Sequence, residues 1–214
     1  NGIDDDNNGY VDDINGWDAY SNDGSIPSND HGTHVAGTVG ARGNNGTDVV
    51  GVNWNVKIMA VAGSSGSTST ISIAYGYVLD QKSLWLETIG QKGANVVATN
   101  SSFGVDYADC SSGSYPVWND LYNAMVEVGI LSAAATINSN VNVDQQGDVP
   151  TGCGSDYLVT VTNTTRNDVK YSSAGYGATT IDLGAPGTDI CSTVPTNGVS
   201  CSYTGTSMAT PHVA

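Results

Sequence analysis

Short apolar runs alternate with stretches of helical periodicity along most of this chain, and that alternation permits few folds. The runs are NVKIMAVAG, GANVVATNSSFG, ILSAAAT and DYLVTVTNTT. Between them, TISIAYGYVLDQKSLW sets Ile71, Ala74, Val78 and Leu79 at helical intervals. VWNDLYNAMVEVG does the same with Val117, Leu121, Met125 and Val128, and Gly129 stops it. Strands separated by helices predict an α/β fold of three layers, a mostly parallel central sheet with helices on both faces. In such sheets chemistry collects at loops outside the carboxyl ends of strands. The chain has 214 residues, enough for one domain of this kind, and shows no internal repeat or dividing linker. Residues 1–30 read as an acidic loop carrying isolated Trp17 and Tyr20, and residues 31–214 as the core, which opens on the helix-like GTHVAGTVGA.

The charge balance narrows the partners. There are 21 acidic residues, all Asp except Glu87 and Glu127, against six Lys and Arg, for a formal net charge of -15. Phosphate backbones need Lys and Arg, so nucleic acid is excluded as a partner. No apolar run approaches the ~20 residues that span a membrane. The chain carries neither an initiating Met nor a leader peptide, and it reads as cut at both ends. None of the four cysteines forms a CxxC pair, which argues against a zinc ribbon. Cys191 and Cys201 flank STVPTNGVS, a hairpin pattern with its turn at Asn197 and Gly198, so a disulfide across that hairpin is expected. Cys110 and Cys153 are the remaining pair, and four reduced buried thiols are the alternative.

Two motifs carry chemistry. NDHGTHVAG supplies His31 and His34, and GTSMATPH supplies Ser207 and His212. Ser207 stands where a helix begins, with Pro211 tolerated in its first turns. Free N–H groups and the helix dipole favour negative charge there, which suits a serine that attacks a carbonyl. It needs a base, and a histidine at a loop-to-helix junction can supply one. Taken singly, Ser207 reads equally as a helix cap and His31 as a loop residue. HGTH lacks the Glu of a zincin, so His34 and His212 read as packing residues. Asp30, adjacent to His31, reads as loop.

Taken together and in this order, HGTHVAG and GTSMATPHVA resemble the histidine and nucleophile motifs of the subtilisin-like serine proteases, the subtilases. VVGVNWNVKIMAV and GATTIDLGAPGTDICSTVP extend the likeness over nearly all of the chain. The resemblance implies a serine endopeptidase that forms an acyl-enzyme on Ser207 with His31 as general base. It implies an oxyanion-binding Asn near a central strand end. The usual Ala-Ala-Gly-Asn is SAAATINSN here, which points to Asn138, with Asn140 as runner-up. SSFG resembles the segment that pairs with substrate backbone and walls the pocket before the cut bond, which assigns Ser102, Phe103 and Gly104 to substrate binding. A disulfide between Cys110 and Cys153 would lie near that pocket's rim.

The family's third catalytic member, an Asp on a strand, has no match in the chain and is expected upstream of residue 1, so these residues alone should be nearly inactive. Asp4, Asp6, Asn8, Gly9, Tyr10 and Asp12 match the start of a D-x-D-x-N-G calcium loop. Asn15 stands where that loop needs Glu, and Asp13 is a substitute. The resemblance further implies protein or peptide substrates, a monomer, and secretion. Two other functions fit the same motifs: a non-catalytic, calcium-stabilised binding domain, and an esterase using the same nucleophile.

Overall fold

The structure, a computed structural model, describes residues 1–214. In chain order its elements are β1 (Gly16–Asp18), α1 (Asp30–Gly40), β2 (Ala60–Ala62), α2 (Thr68–Glu87), β3 (Ala98–Ser101), β4 (Val105–Asp106), α3 (Pro116–Glu127) and β5 (Leu131–Ala135). There follow α4 (Val143–Gln146), β6 (Asp148–Val149), β7 (Leu158–Thr164), β8 (Leu183–Pro186), β9 (Ile190–Val194), β10 (Gly198–Tyr203) and α5 (Thr206–Ala209), which runs into a 3-10 turn, Thr210–His212.

The central sheet has the order β3-β5-β7-β8, and every pairing in it is parallel. Side chains three apart on a strand face opposite ways, and β7 uses both faces. Leu158 joins a core built from Ile71, Tyr75 and Val78 of α2 and Trp118, Tyr122 and Met125 of α3. Val161 joins Ala185 and Ala209 on the other side, under α5. Helices therefore cover both faces, the three layers that the alternation of patterns predicts. Three small pairings surround the sheet: β1 with β2 in parallel, β4 with β6 and β9 with β10 antiparallel.

Three local readings are corrected. The buried face of α3 is Trp118, Tyr122 and Met125, not the face of Val117, which is 40% exposed. Aromatic rings bury more surface than the aliphatics beside them, and the Tyr122 hydroxyl finds a buried partner in that of Tyr75 at 3.0 Å. The stretch read as unbroken loop contains β1, too short for alternation to show. Gly16 there has φ 133°, and a Cβ would fall 1.7 Å from the Ala60 carbonyl oxygen, so only glycine permits the strand pairing. The hairpin turn falls one residue early, with positive φ at Thr196 and Asn197 and with Gly198 already paired to Val194.

Both cysteine pairs are bonded, Cys191 to Cys201 within the hairpin and Cys110 to Cys153 with Cα atoms 5.1 Å apart. The second bond ties the loop before α3 to the segment after β6. No helix is long and apolar enough to cross a membrane.

Candidate active site

His31 is the second residue of α1. Asn29 caps that helix, its side chain accepting from the Gly32 N–H at 2.8 Å. Asp30 is therefore the first helical residue, not loop, and lies exposed. The hairpin β9–β10 buttresses the helix from behind: Ser192 Oγ donates to the His34 carbonyl (2.7 Å) and Thr193 Oγ1 to the Thr33 carbonyl (3.0 Å). Burial, then the neighbouring His34, lower the His31 pKa. The neutral imidazole that a general base requires is thus favoured. No carboxylate figures among the influences on His31.

Ser207 is the second residue of α5, which packs against α1. Its position follows from a clasp with the loop after β3. Ser102 Oγ donates to the Ser207 carbonyl at 2.8 Å, and Ser207 Oγ donates back to the Ser102 carbonyl at 3.2 Å. Asn100 Nδ2 in turn donates to Ser102 Oγ at 2.9 Å. The Ser207 hydroxyl is thus directed at Ser102 rather than at His31. Ser207 also presents its own N–H, which at the second position of a helix has no helical acceptor.

Asn138 follows the end of β5 as Ser102 follows the end of β3, and the two strands are paired with Ser101 opposite Ala134. Both residues thus lie at the carboxyl edge of the sheet. Asn138 Oδ1 accepts from the Thr206 N–H at 2.9 Å and the Thr206 hydroxyl at 3.2 Å. Its oxygen is thus held by the residue before Ser207, and its amide NH2 has no protein acceptor. Asn140 instead accepts from Lys170 at 3.0 Å. Thr206 is fully buried and also donates to the Thr136 carbonyl. Of the residues expected to wall the pocket, Phe103 packs against the core with its ring centroid 6.1 Å from that of Trp118. Gly104 sits where a Cβ would lie 2.4 Å from the Val149 carbonyl oxygen.

A family model described as "Subtilase family" matches residues 1–214. The chain belongs to the subtilase family. It is 36% identical over 190 residues to the alkaline elastase YaB of a Bacillus strain, covering 87% of this chain and 43% of that protein. It is 34% identical to thermitase from Thermoactinomyces vulgaris, over 94% of this chain and 64% of that one. Against the alkaline proteinase of Hapsidospora chrysogena the identity is 32%, covering 94% of this chain and 44% of the relative. The chain thus spans about half the length of these relatives. A crystal structure of a cold-adapted subtilisin-like serine proteinase superposes with a TM-score of 0.70 at 32% identity, covering 92% of this chain and 63% of the other.

The other two histidines of this subtilase pack as structural residues. His34 is buried, stacks on Tyr203 at 4.3 Å and bonds the Ile190 carbonyl at 3.1 Å. His212 bonds the Met208 carbonyl at 2.8 Å. Of the six residues of the aspartate-rich loop, Asp4 and Asp6 share the Asn8 N–H, while Tyr10 and Asp12 bond elsewhere. Asp4 accepts from the Gly9 N–H at 2.8 Å and the Asn8 N–H at 3.0 Å. Asp12 accepts from the Gly2 N–H at 2.7 Å, and the Tyr10 hydroxyl donates to Asp80 at 2.6 Å. No three carboxylates or imidazoles are placed to share a cation. Asp6 has its pKa raised, first by desolvation and then by the charges of Asp13 and Asp4.

Sequence reasoning missed Asn100 and Thr206. Thr206 lies inside the quoted motif and was legible as a neighbour of Ser207. Asn100 has no signature, because its contact with Ser102 exists only in the folded loop.

Proposed function

We propose that this subtilase is a serine endopeptidase that cuts peptide bonds through an acyl-enzyme on Ser207. The observation that carries the reading is the meeting of Ser102, Asn138 and the Ser207 loop at the carboxyl edge of the sheet, with the His31 helix packed against α5. Ser207 Oγ turns from the Ser102 carbonyl toward His31, which takes its proton as Oγ bonds to the scissile carbonyl carbon. The carbonyl oxygen becomes an oxyanion, and Asn138 Nδ2 and the Ser207 N–H donate to it. His31 returns the proton to the leaving amine, and a water repeats the sequence to release the acyl group. Ser102, Phe103 and Gly104 line the substrate's path. Relatives named as an alkaline proteinase, an elastase and a proteinase support protein or peptide substrates. The two disulfides support an extracellular location.

Within residues 1–214 no carboxylate forms an ion pair with His31. The family resemblance implies a carboxylate that orients His31; we place it in chain outside these residues, and the 214 residues alone are expected to be nearly inactive. A fluorophosphonate probe followed by peptide mapping tests the whole reading. The full protein should be labelled at Ser207, and residues 1–214 alone at a far lower rate. A folded full protein that takes no label at Ser207 would leave the fold serving a binding role. Labelling with hydrolysis of esters but not peptides would assign an esterase.

A calcium ion at the aspartate-rich loop is a separate proposal. What favours it is the closeness of Asp4 and Asp6, which both accept from the Asn8 N–H; desolvation first, and then the charges of Asp13 and Asp4, raise the Asp6 pKa. Holding a cation requires Asp4 to exchange its backbone amide partners for the ion. Chelation should then lower the thermal midpoint by several degrees and restored calcium should recover it. A midpoint indifferent to chelator removes the ion from the account.

A further inference from the structure

Three charged residues are buried, Asp18, Lys82 and Asp148, and Asp148 is the deepest of them. It is 1% exposed, and no Lys, Arg or His forms an ion pair with it. Its cross-strand neighbour is Asp106, which carries the same sign and raises its pKa further. Burial is the larger cause and pushes that pKa up to about 6, against the opposing hydrogen bonds. A buried, unpaired carboxylate is costly unless its donors are well placed.

Its donors are well placed, and they are specific. Asp148 Oδ2 accepts the Thr136 hydroxyl at 2.8 Å, the Ile137 N–H at 2.9 Å and the Thr151 hydroxyl at 2.6 Å. Thr136 and Ile137 are the two residues before Asn138. The Thr136 carbonyl and Asn138 Oδ1 both receive Thr206, which precedes Ser207. On its other side Asp148 opens β6, which pairs with β4, the strand that follows Gly104. One carboxylate oxygen thus stands where the Asn138 loop and the Ser102 segment meet.

We propose that Asp148 is a positioning residue for acyl transfer: its Oδ2 pins Thr136 and Ile137, and so fixes where Asn138 presents its amide to the oxyanion. The proposal rests on the peptidase reading above. It differs from a purely structural role in one respect. The effect of Asp148 on rate must pass through Asn138.

The test is a double-mutant cycle in the full protein, with kcat referred to active sites titrated by fluorophosphonate. Asp148→Ala should lower kcat by about 10- to 100-fold with little change in KM, since a displacement on the order of 1 Å carries a penalty of that size. Asp148→Asn keeps one oxygen acceptor and should recover most of the loss. In an Asn138→Ala background, Asp148→Ala should cost less than about threefold, because the donor it positions is gone. Should Asp148→Ala not fold, Thr136→Val removes one of the three donors and should show the same dependence on Asn138. Equal losses with and without Asn138, or an unchanged kcat in folded Asp148→Ala, overturn the proposal while leaving the peptidase reading intact. A wild-type protein that takes no label and cleaves nothing overturns both.

Discussion

Alanine at Ser207 or at His31 is expected to lower kcat of the full protein by about six orders of magnitude, and alanine at both to lower it hardly further. That size is the one established for subtilisin, a member of the same family, and is carried over rather than obtained from this geometry. The non-additivity follows from the mechanism. Ser207 without a base keeps its proton, and His31 without Ser207 has no nucleophile to activate, so either change removes the same covalent path. Neither side chain carries much of the fold: each is only partly buried. The Ser207 hydroxyl makes one bond, to the Ser102 carbonyl. The thermal midpoint should therefore move little. The measurement is kcat on a peptide and on an ester substrate, with protein concentration fixed by absorbance because the variants cannot be titrated. Retention of more than about 1% of wild-type peptide hydrolysis by Ser207→Ala would remove Ser207 as the nucleophile.

Much of this arrangement was legible in the sequence, for physical reasons that also explain what was not. The parallel sheet was legible because buried strands must be apolar and their crossover helices must be periodic, as β5 and the preceding α3 are. The disulfide across the hairpin was legible because strand pairing brings Cys191 and Cys201 together by local geometry alone. Local rules failed where tertiary packing decides. Val117 and Leu121 fit a helical stripe as well as Trp118 and Tyr122 do, and only the cavity between α2 and the sheet selects the aromatics. Gly16 looked like one turn glycine among many until the Ala60 carbonyl came against it. The motifs located His31 and Ser207, but Asp148 lies 59 residues before Ser207, in a stretch with no pattern of its own. Its meaning comes from the three donors that converge on it.

Asn138→Ala is expected to lower kcat by roughly 10²- to 10³-fold with KM nearly unchanged, because the bond it supplies forms only as the oxyanion develops. This range, too, is that known for an oxyanion-binding asparagine in subtilisin. The structure adds a way to separate catalysis from folding. Asn138 Oδ1 accepts the N–H and hydroxyl of the fully buried Thr206, so alanine also strips an acceptor from a buried donor. That loss costs about 1–3 kcal/mol of stability. Asn138→Asp keeps an oxygen for Thr206 and should preserve the thermal midpoint, yet it replaces the donating NH2 by a second anionic oxygen facing the developing charge. It should therefore be at least as slow as Asn138→Ala while being more stable. Asn140→Ala serves as the control: its oxygen is engaged by Lys170, and kcat should stay within about twofold. A large kcat loss at Asn140 with none at Asn138 would transfer the oxyanion role to the neighbouring residue. Equal stability losses in the alanine and aspartate variants would show that Thr206 does not depend on that side-chain oxygen.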